Sequence, residues 1–369
     1  MKPKNDLLVL VFAAIFATFI LWLPYILGLN GGMLTVFKNY DGPNYIIVAK
    51  SWYDKISIAH NFSLPVPIEY YPAHLPGYPL FIAVLNLFLP GTWSMLVSTL
   101  IFNVLCVITF YLFLLKFRLS ENPFWLSLVF LVIPARWVVV KAVGSPEPLF
   151  LFAVLSSFYL FKEKRMWLAG IFGALAQITK SPGILLFLSY LGYLGFLRLK
   201  KGITIQKLIR DSIPLFLIPV SLLGIFFFYK IRTGDFLAYF HSGDNFHLVF
   251  PPFQSFSQNR SWLGDFWRED MVWQYLLGAL TVVMLIKQKY YDLASFAGTF
   301  FAATLFVAHR DLARYSLPLV PFSLIAFDKF IQKKEFKIAL LIILPAIYLY
   351  AVNFIAGNIA PIADWAPYL

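Results

Sequence analysis

Apolar runs of membrane-spanning length, separated by short clusters of Lys and Arg, recur from one end of this chain to the other. They fall at about 7–28, 93–115, 123–140, 147–161, 166–179 and 182–197, then at 213–229, 271–286, 290–308, 315–330 and 336–354. A helix needs about 20 apolar residues to cross hydrocarbon, and only helices and closed barrels satisfy every backbone polar group there. The pattern predicts an all-α integral membrane protein with about 11 transmembrane helices, lodged in the lipid bilayer. Composition agrees, with 60% of residues hydrophobic and 13% charged, against about 45–50% and about 25% in soluble domains. Runs shorter than ~17 residues must draw on flanking loops or sit in thinned bilayer. The run 80–89 is too short to span and fits an interfacial or protein-buried helix.

Lys2 and Lys4 precede the first run as in a signal peptide, but the run exceeds the ~7–15 residues of a cleaved h-region and reads as a retained helix. The net charge of +12 resides largely in short loops between spans, a placement that reports membrane orientation rather than nucleic-acid binding. With the N-terminus cytoplasmic, 18 of the 30 Lys and Arg fall inside and 11 of the 18 acids outside. The first long loop, residues 29–92, is then extracytoplasmic, as is the second, residues 230–270. The chain divides near 230 into a module 1–230 carrying the first outer loop and a segment 231–369 carrying the second outer loop and the C-terminal helices. Cys106, the only cysteine, rules out an intrachain disulfide and a thiolate metal cluster, so the redox compartment is unread.

Polar chemistry gathers in the outer loops. Asp41 precedes the helix breakers Gly42 and Pro43. It serves either as a cap for a helix over 44–53 or as a general base for a substrate hydroxyl. Glu147 lies between two prolines at a span end, where a carboxylate is costly unless paired or facing a polar cavity. It either pairs with Arg136 or Lys141 or orients an acceptor. The outer-side cations Arg136, Lys141, Lys180, Lys230, Arg232, Arg310 and Arg314 either snorkel to headgroups or gather around a phosphate. Glu69 and His74 are solvated loop groups or ligand contacts. His241, Asp244 and His247 have a spacing compatible with a metal but no accompanying Cys or ligand motif, and no metal or other cofactor is expected. Trp262 and Trp267 suit an interfacial belt as well as a sugar surface.

Asp41-Gly42-Pro43-Asn44-Tyr45, followed by Leu75-Pro76-Gly77-Tyr78-Pro79-Leu80, resembles the first-loop pattern of the GT-C superfamily of polytopic glycosyltransferases. Ser145-Pro146-Glu147-Pro148-Leu149-Phe150, Trp167-Leu168-Ala169-Gly170 through Thr179-Lys180-Ser181-Pro182-Gly183, and Arg314-Tyr315-Ser316-Leu317-Pro318 resemble later GT-C segments in order. The similarity covers residues 1–230 and a patch at 310–321, and is nearest in flavour to the branch containing the second GPI mannosyltransferase and its prokaryotic relatives. Gly42 departs from branches that carry a second acid there, and the His74 region is extra.

The resemblance implies a hexosyltransferase that moves a sugar, mannose among the candidates, from a polyprenyl-phosphate carrier to a hydroxyl of a glycan, lipid or protein acceptor. It implies inversion at the sugar, an extracytoplasmic active site and a multi-pass protein of the prokaryotic plasma membrane rather than the endoplasmic reticulum. Asp41 would be the catalytic base. Lys180, Arg314, Arg310 and Arg232 would hold the donor phosphate, and Tyr45, Glu69, His74, Tyr78 and Glu147 would contact donor or acceptor. The competing expectations are a lipid or sugar transporter or flippase, a glycan ligase using a lipid-diphosphate donor, and a non-catalytic relative.

Overall fold

The computed structural model describes residues 3–63, 66–243, 247–257 and 264–369. The described residues form helices and connecting turns without a strand, and two isolated bridges pair Asn39 with Ile359 and Leu248 with Val307. Among the described residues, six helices are long and apolar enough to cross a membrane: Lys4–Ile26, Gly91–Phe117, Ser181–Lys201, Ile205–Thr233, Trp267–Lys287 and Lys334–Gly357. The chain is an integral membrane protein.

Six such helices are fewer than the eleven spans expected, and proline explains part of the difference. The run 123–140 breaks into Pro123–Val132 and Ala135–Val140 around Pro134, and 315–330 breaks into short turns around Pro318 and Pro321. Each proline removes a helical N–H donor and crowds the preceding turn. Other runs form unbroken but shorter helices. Glu147–Lys162 has 16 residues and is buried on nearly every face. A helix enclosed by protein does not have to present a full hydrocarbon thickness of apolar side chains to lipid. Met166–Thr179 forms over the expected residues and packs against it.

Among the described residues two large apolar cores and one small cluster around Met271, Val307 and Leu312 are buried. One large core fills the bundle, with Phe110, Phe130, Phe158, Phe296 and Phe322 among its members. The other lies under the first long loop, with Tyr45, Tyr53, Tyr71, Tyr78 and Tyr229. That loop is a layer of short helices, Met33–Phe37, Gly42–Ser51, Lys55–Asn61 and Gly77–Leu85, joined by tight turns. Helix Glu147–Lys162 stands at the junction, since Leu149 belongs to the loop core and Phe150 to the bundle core. The C-terminal tail returns to the loop layer: Tyr40 N–H donates to Asn358 O at 2.9 Å, and Ala360 N–H to Lys38 O at 2.7 Å. Lys50 Nζ then donates to the carbonyls of Pro367 and Leu369 at 2.8 and 2.7 Å.

Ion pairs sort into two groups matching the charge alternation along the sequence. Lys116–Glu163, Lys162–Asp292 and Arg210–Asp211 join residues assigned to one side. Arg136–Asp311, Lys180–Glu147, Arg232–Asp54, His241–Asp235, Arg314–Asp41 and Arg314–Glu147 join residues assigned to the other. No ion pair among the described residues crosses between the groups.

Candidate active site

Asp41 occupies the turn between the bridge at Asn39 and helix Gly42–Ser51, with its backbone carbonyl accepting from Asn44 N–H at 3.1 Å. Its side chain makes no capping hydrogen bond. Oδ2 instead accepts from Arg314 Nη1 at 2.8 Å, whereas Oδ1 has no hydrogen bond among the described residues. Of the two roles open to this carboxylate, the cap is not used.

Arg314 projects from the short helix Leu312–Tyr315 and binds two acids. Besides Asp41 it reaches Glu147, with Nε donating to Oε1 at 2.6 Å. Burial opposes the Arg314 charge, but Glu147 and then Asp41 hold its proton more firmly than usual. Lys180 Nζ donates to the same Oε1 at 2.6 Å, and Ser145 Oγ donates to Oε2. Both oxygens of Glu147 are thus occupied and its side chain is 2% exposed, so it serves as an anchor for cations. Asp41 is 16% exposed and keeps one oxygen without a hydrogen bond among the described residues.

Glycine and proline set these positions. Lys180 is extended between two helices, and the chain turns back so tightly after it that a Cβ on Gly183 would lie 2.4 Å from Gln177 Cα. A Cβ on Gly77 would lie 2.8 Å from Ile178 O, so only glycine lets helix Gly77–Leu85 meet the end of Met166–Thr179 this closely. Glu147 begins its helix with Pro148 in the first turn, where a missing N–H is harmless.

Two pockets flank Arg314. One is lined by Asn39, Tyr40, Asp41, Arg136, Ser145, Phe354 and Asn358, among others. The second sets Glu147, Lys180 and Arg314 against Phe150, Leu151, Pro182, Leu317 and Pro318. A cationic end on an apolar groove suits a lipid phosphate, and a carboxylate in a polar pocket suits a hydroxylated molecule.

No protein-family model matches this sequence, and no curated protein matches it. Among solved structures, the S. cerevisiae protein O-mannosyltransferase Pmt1-Pmt2 complex bound to the sugar donor is similar over 65% of this chain, at 14% identity and a TM-score of 0.38. The chain spans 35% of the length of that protein.

The other expected site residues divide. Tyr45, His74 and Tyr78 form a buried aromatic layer behind Asp41, with Tyr45 edge-on to His74 at 4.8 Å and to Tyr78 at 5.1 Å. Tyr78 OH bonds to Thr99 Oγ1 at 2.6 Å and Met95 O at 2.8 Å, and Tyr53 OH donates to His74 O at 2.6 Å. Burial pushes the His74 imidazole down to about 4, with Asp41 opposing the shift, so it is neutral near pH 7. Tyr45, His74 and Tyr78 line neither pocket and pack as a buried layer behind Asp41.

Glu69 and Arg310 are exposed and join no ion pair among the described residues. Arg232 donates to Trp52 O at 2.8 Å and Ser51 O at 3.1 Å. It therefore clasps the end of helix Gly42–Ser51 remote from Asp41, about 15 Å along its axis. Lys230 donates to Gly234 O, and buried Lys141 to Leu131 O. Glu147 takes neither Arg136 nor Lys141 as its partner. Asp244 and Trp262 lie outside the described residues. His241 pairs with Asp235, whereas His247 lies tilted against His309 with ring centroids 4.5 Å apart. Among the described residues no three His, Cys, Asp or Glu side chains are placed to share a metal ion.

Asp311, Ser145, His309 and Tyr315 are neighbours of the site to which the sequence pattern assigned no role. Asp311 carried a signal in its position three residues before Arg314, one helical turn away.

Proposed function

We propose that the chain is a GT-C-type membrane glycosyltransferase. It transfers a sugar, a hexose such as mannose, from a polyprenyl-phosphate carrier to a hydroxyl acceptor on the extracytoplasmic face. The observation that carries this reading is the convergence of Asp41, Glu147, Lys180 and Arg314, from distant parts of the sequence, between a polar and an apolar pocket.

In this reading the carrier lipid lies along Phe150, Leu151 and Leu317, with its phosphate at Lys180 and Arg314. The acceptor enters the polar pocket, and Asp41 Oδ1 removes its proton as the hydroxyl oxygen attacks the sugar C1. The C1–O bond to the phosphate breaks with inversion, and the phosphate departs with the bonding electron pair. Lys180 and Arg314 compensate the charge that grows on it. Glu147 keeps both cations in place. Arg314, bound to base and phosphate together, couples the two halves of the reaction. The cytoplasmic N-terminus and a prokaryotic plasma membrane belong to this proposal.

The test is turnover of Asp41→Asn in proteoliposomes supplied with polyprenyl-phosphate mannose, glucose or arabinose and a hydroxylated acceptor. Transfer is expected to fall by about 10²–10⁴-fold, with the variant still binding the carrier. Wild-type turnover by the folded variant would remove Asp41 from the mechanism.

A further inference from the structure

Two residues in the wall of the polar pocket bury hydrogen-bond donors that have no partner among the described residues. Arg136, on helix Ala135–Val140, is 9% exposed, with Nη2 paired to Asp311 and the guanidinium carbon 3.9 Å from the Phe354 ring centroid. The Tyr350 hydroxyl lies within interaction distance of the same guanidinium, without the geometry of a hydrogen bond to Nε or Nη1. These contacts hold its plane, yet Nε and Nη1 are buried without a hydrogen-bond partner among the described residues. Asn39, 6% exposed, leaves Nδ2 in the same condition. Both side chains line the pocket that holds Asp41.

Buried donors without partners are costly, so a pocket wall that keeps several of them is complementary to a group that accepts hydrogen bonds. A neutral hydroxyl supplies one uncharged oxygen whose two lone pairs accept only weakly. An oxyanion supplies several lone pairs, and its bonds to a guanidinium are about twice as strong as neutral ones. Arg314, the other cation of the pocket, is already committed to Asp41 and Glu147.

We infer that the acceptor bears an oxyanion, a carboxylate or a phosphate, which Arg136 and Asn39 bind beside Asp41. The inference rests on the glycosyltransferase reading, and it makes Arg136 an acceptor-binding residue rather than a donor-phosphate ligand. Its consequence is selectivity: an acidic sugar or lipid headgroup presents its hydroxyl to Asp41, and the neutral counterpart is poorly held.

Thermal-shift titration of the purified full chain in detergent tests this with D-glucose, D-glucose 6-phosphate, D-glucuronate and polyprenyl phosphate as probes. At least one anionic sugar is expected to bind about tenfold or more tightly than glucose, and which one does so distinguishes phosphate from carboxylate. Arg136→Lys keeps a positive charge opposite Asp311 while removing the Nη1 and Nε donors. That variant is expected to cut the preference to within about threefold.

Binding of polyprenyl phosphate by Arg136→Lys is expected to stay within about twofold of wild type. Asn39→Ala, which leaves every charge in place, is expected to weaken the anionic sugar by about threefold and serves if Arg136→Lys does not fold. Equal binding of all three sugars by the wild type overturns the inference, as does a preference that persists in both variants. So does a loss of about tenfold or more in polyprenyl phosphate binding by Arg136→Lys, which would assign the guanidinium to the donor. Asp41→Asn is expected to keep the anion preference, so failure of this inference and failure of the base assignment are read from different measurements.

Discussion

The two ends of the helical bundle both bury carboxylates, but they use them differently. At the end carrying Lys116 and Lys162, Asp328 accepts from Ser120 Oγ at 2.6 Å, Glu121 N–H at 2.9 Å and Gln332 Nε2 at 2.8 Å. Those are neutral donors, and together with Lys162–Asp292 they tie helix ends to each other. At the end carrying Asp41, two acids share one arginine, one of them also holds a lysine, and pockets open on both sides of the arginine. A buried charge by itself therefore does not mark a site. What sets the second end apart is a cation shared between two acids with pockets on both sides of it.

Breaking the shared cluster is expected to have the largest effect. Glu147→Gln leaves Arg314 and Lys180 without their common anion, and should cost about 3–5 kcal/mol, the usual penalty for removing one partner of a buried pair. Thermal unfolding and carrier binding should both report it; a variant that melts like wild type would mean that the cations find other partners. Lys180→Ala is gentler on the fold. It should weaken carrier binding by about 1.5–3 kcal/mol, the range for a hydrogen bond to a charged group, with the acceptor KM nearly unchanged. Equal losses for carrier and acceptor would make Lys180 a structural residue.

Acid probes the aromatic wall behind Asp41. His74 is held neutral, with a folded-state value of about 4 against an unfolded value of about 6.5. Below the unfolded value the unfolded chain binds the proton first, so stability is full above it and falls as pH drops toward 4. Between pH 7 and 5 the loss should be about 2 kcal/mol, and His74→Gln should flatten that part of the denaturation profile. An unchanged slope in the variant would show that other groups carry the acid sensitivity. The smallest effect belongs to the opposite end, where the Lys116–Glu163 pair is 3.3 Å long and half exposed on the lysine side. Lys116→Gln should shift stability by less than about 0.5 kcal/mol and leave turnover alone; a larger change would undo the contrast between the ends.

Much of the helical scaffold was legible because hydropathy and proline act locally. Helix Met166–Thr179 forms over the expected residues, and the first, second and last spans agree to within a few positions. The breaks at Pro134, Pro318 and Pro321 were also present in the sequence, yet apolar run length alone concealed them. Asp41, Glu147, Lys180 and Arg314 stood out by residue type and place. Arg232 stood out equally, but its donors are used on the carbonyls of Ser51 and Trp52.

What the sequence by itself determined is a membrane-embedded helical chain whose charges divide into two groups, because burial of apolar helices and placement of short basic loops depend on composition within each segment. The partnership of Arg314 with Asp41 and Glu147, and the orphaned donors of Arg136 and Asn39, were decided only by the tertiary structure. Hydrogen bonds act over about 3 Å, and which distant segments come that close depends on how the whole bundle packs.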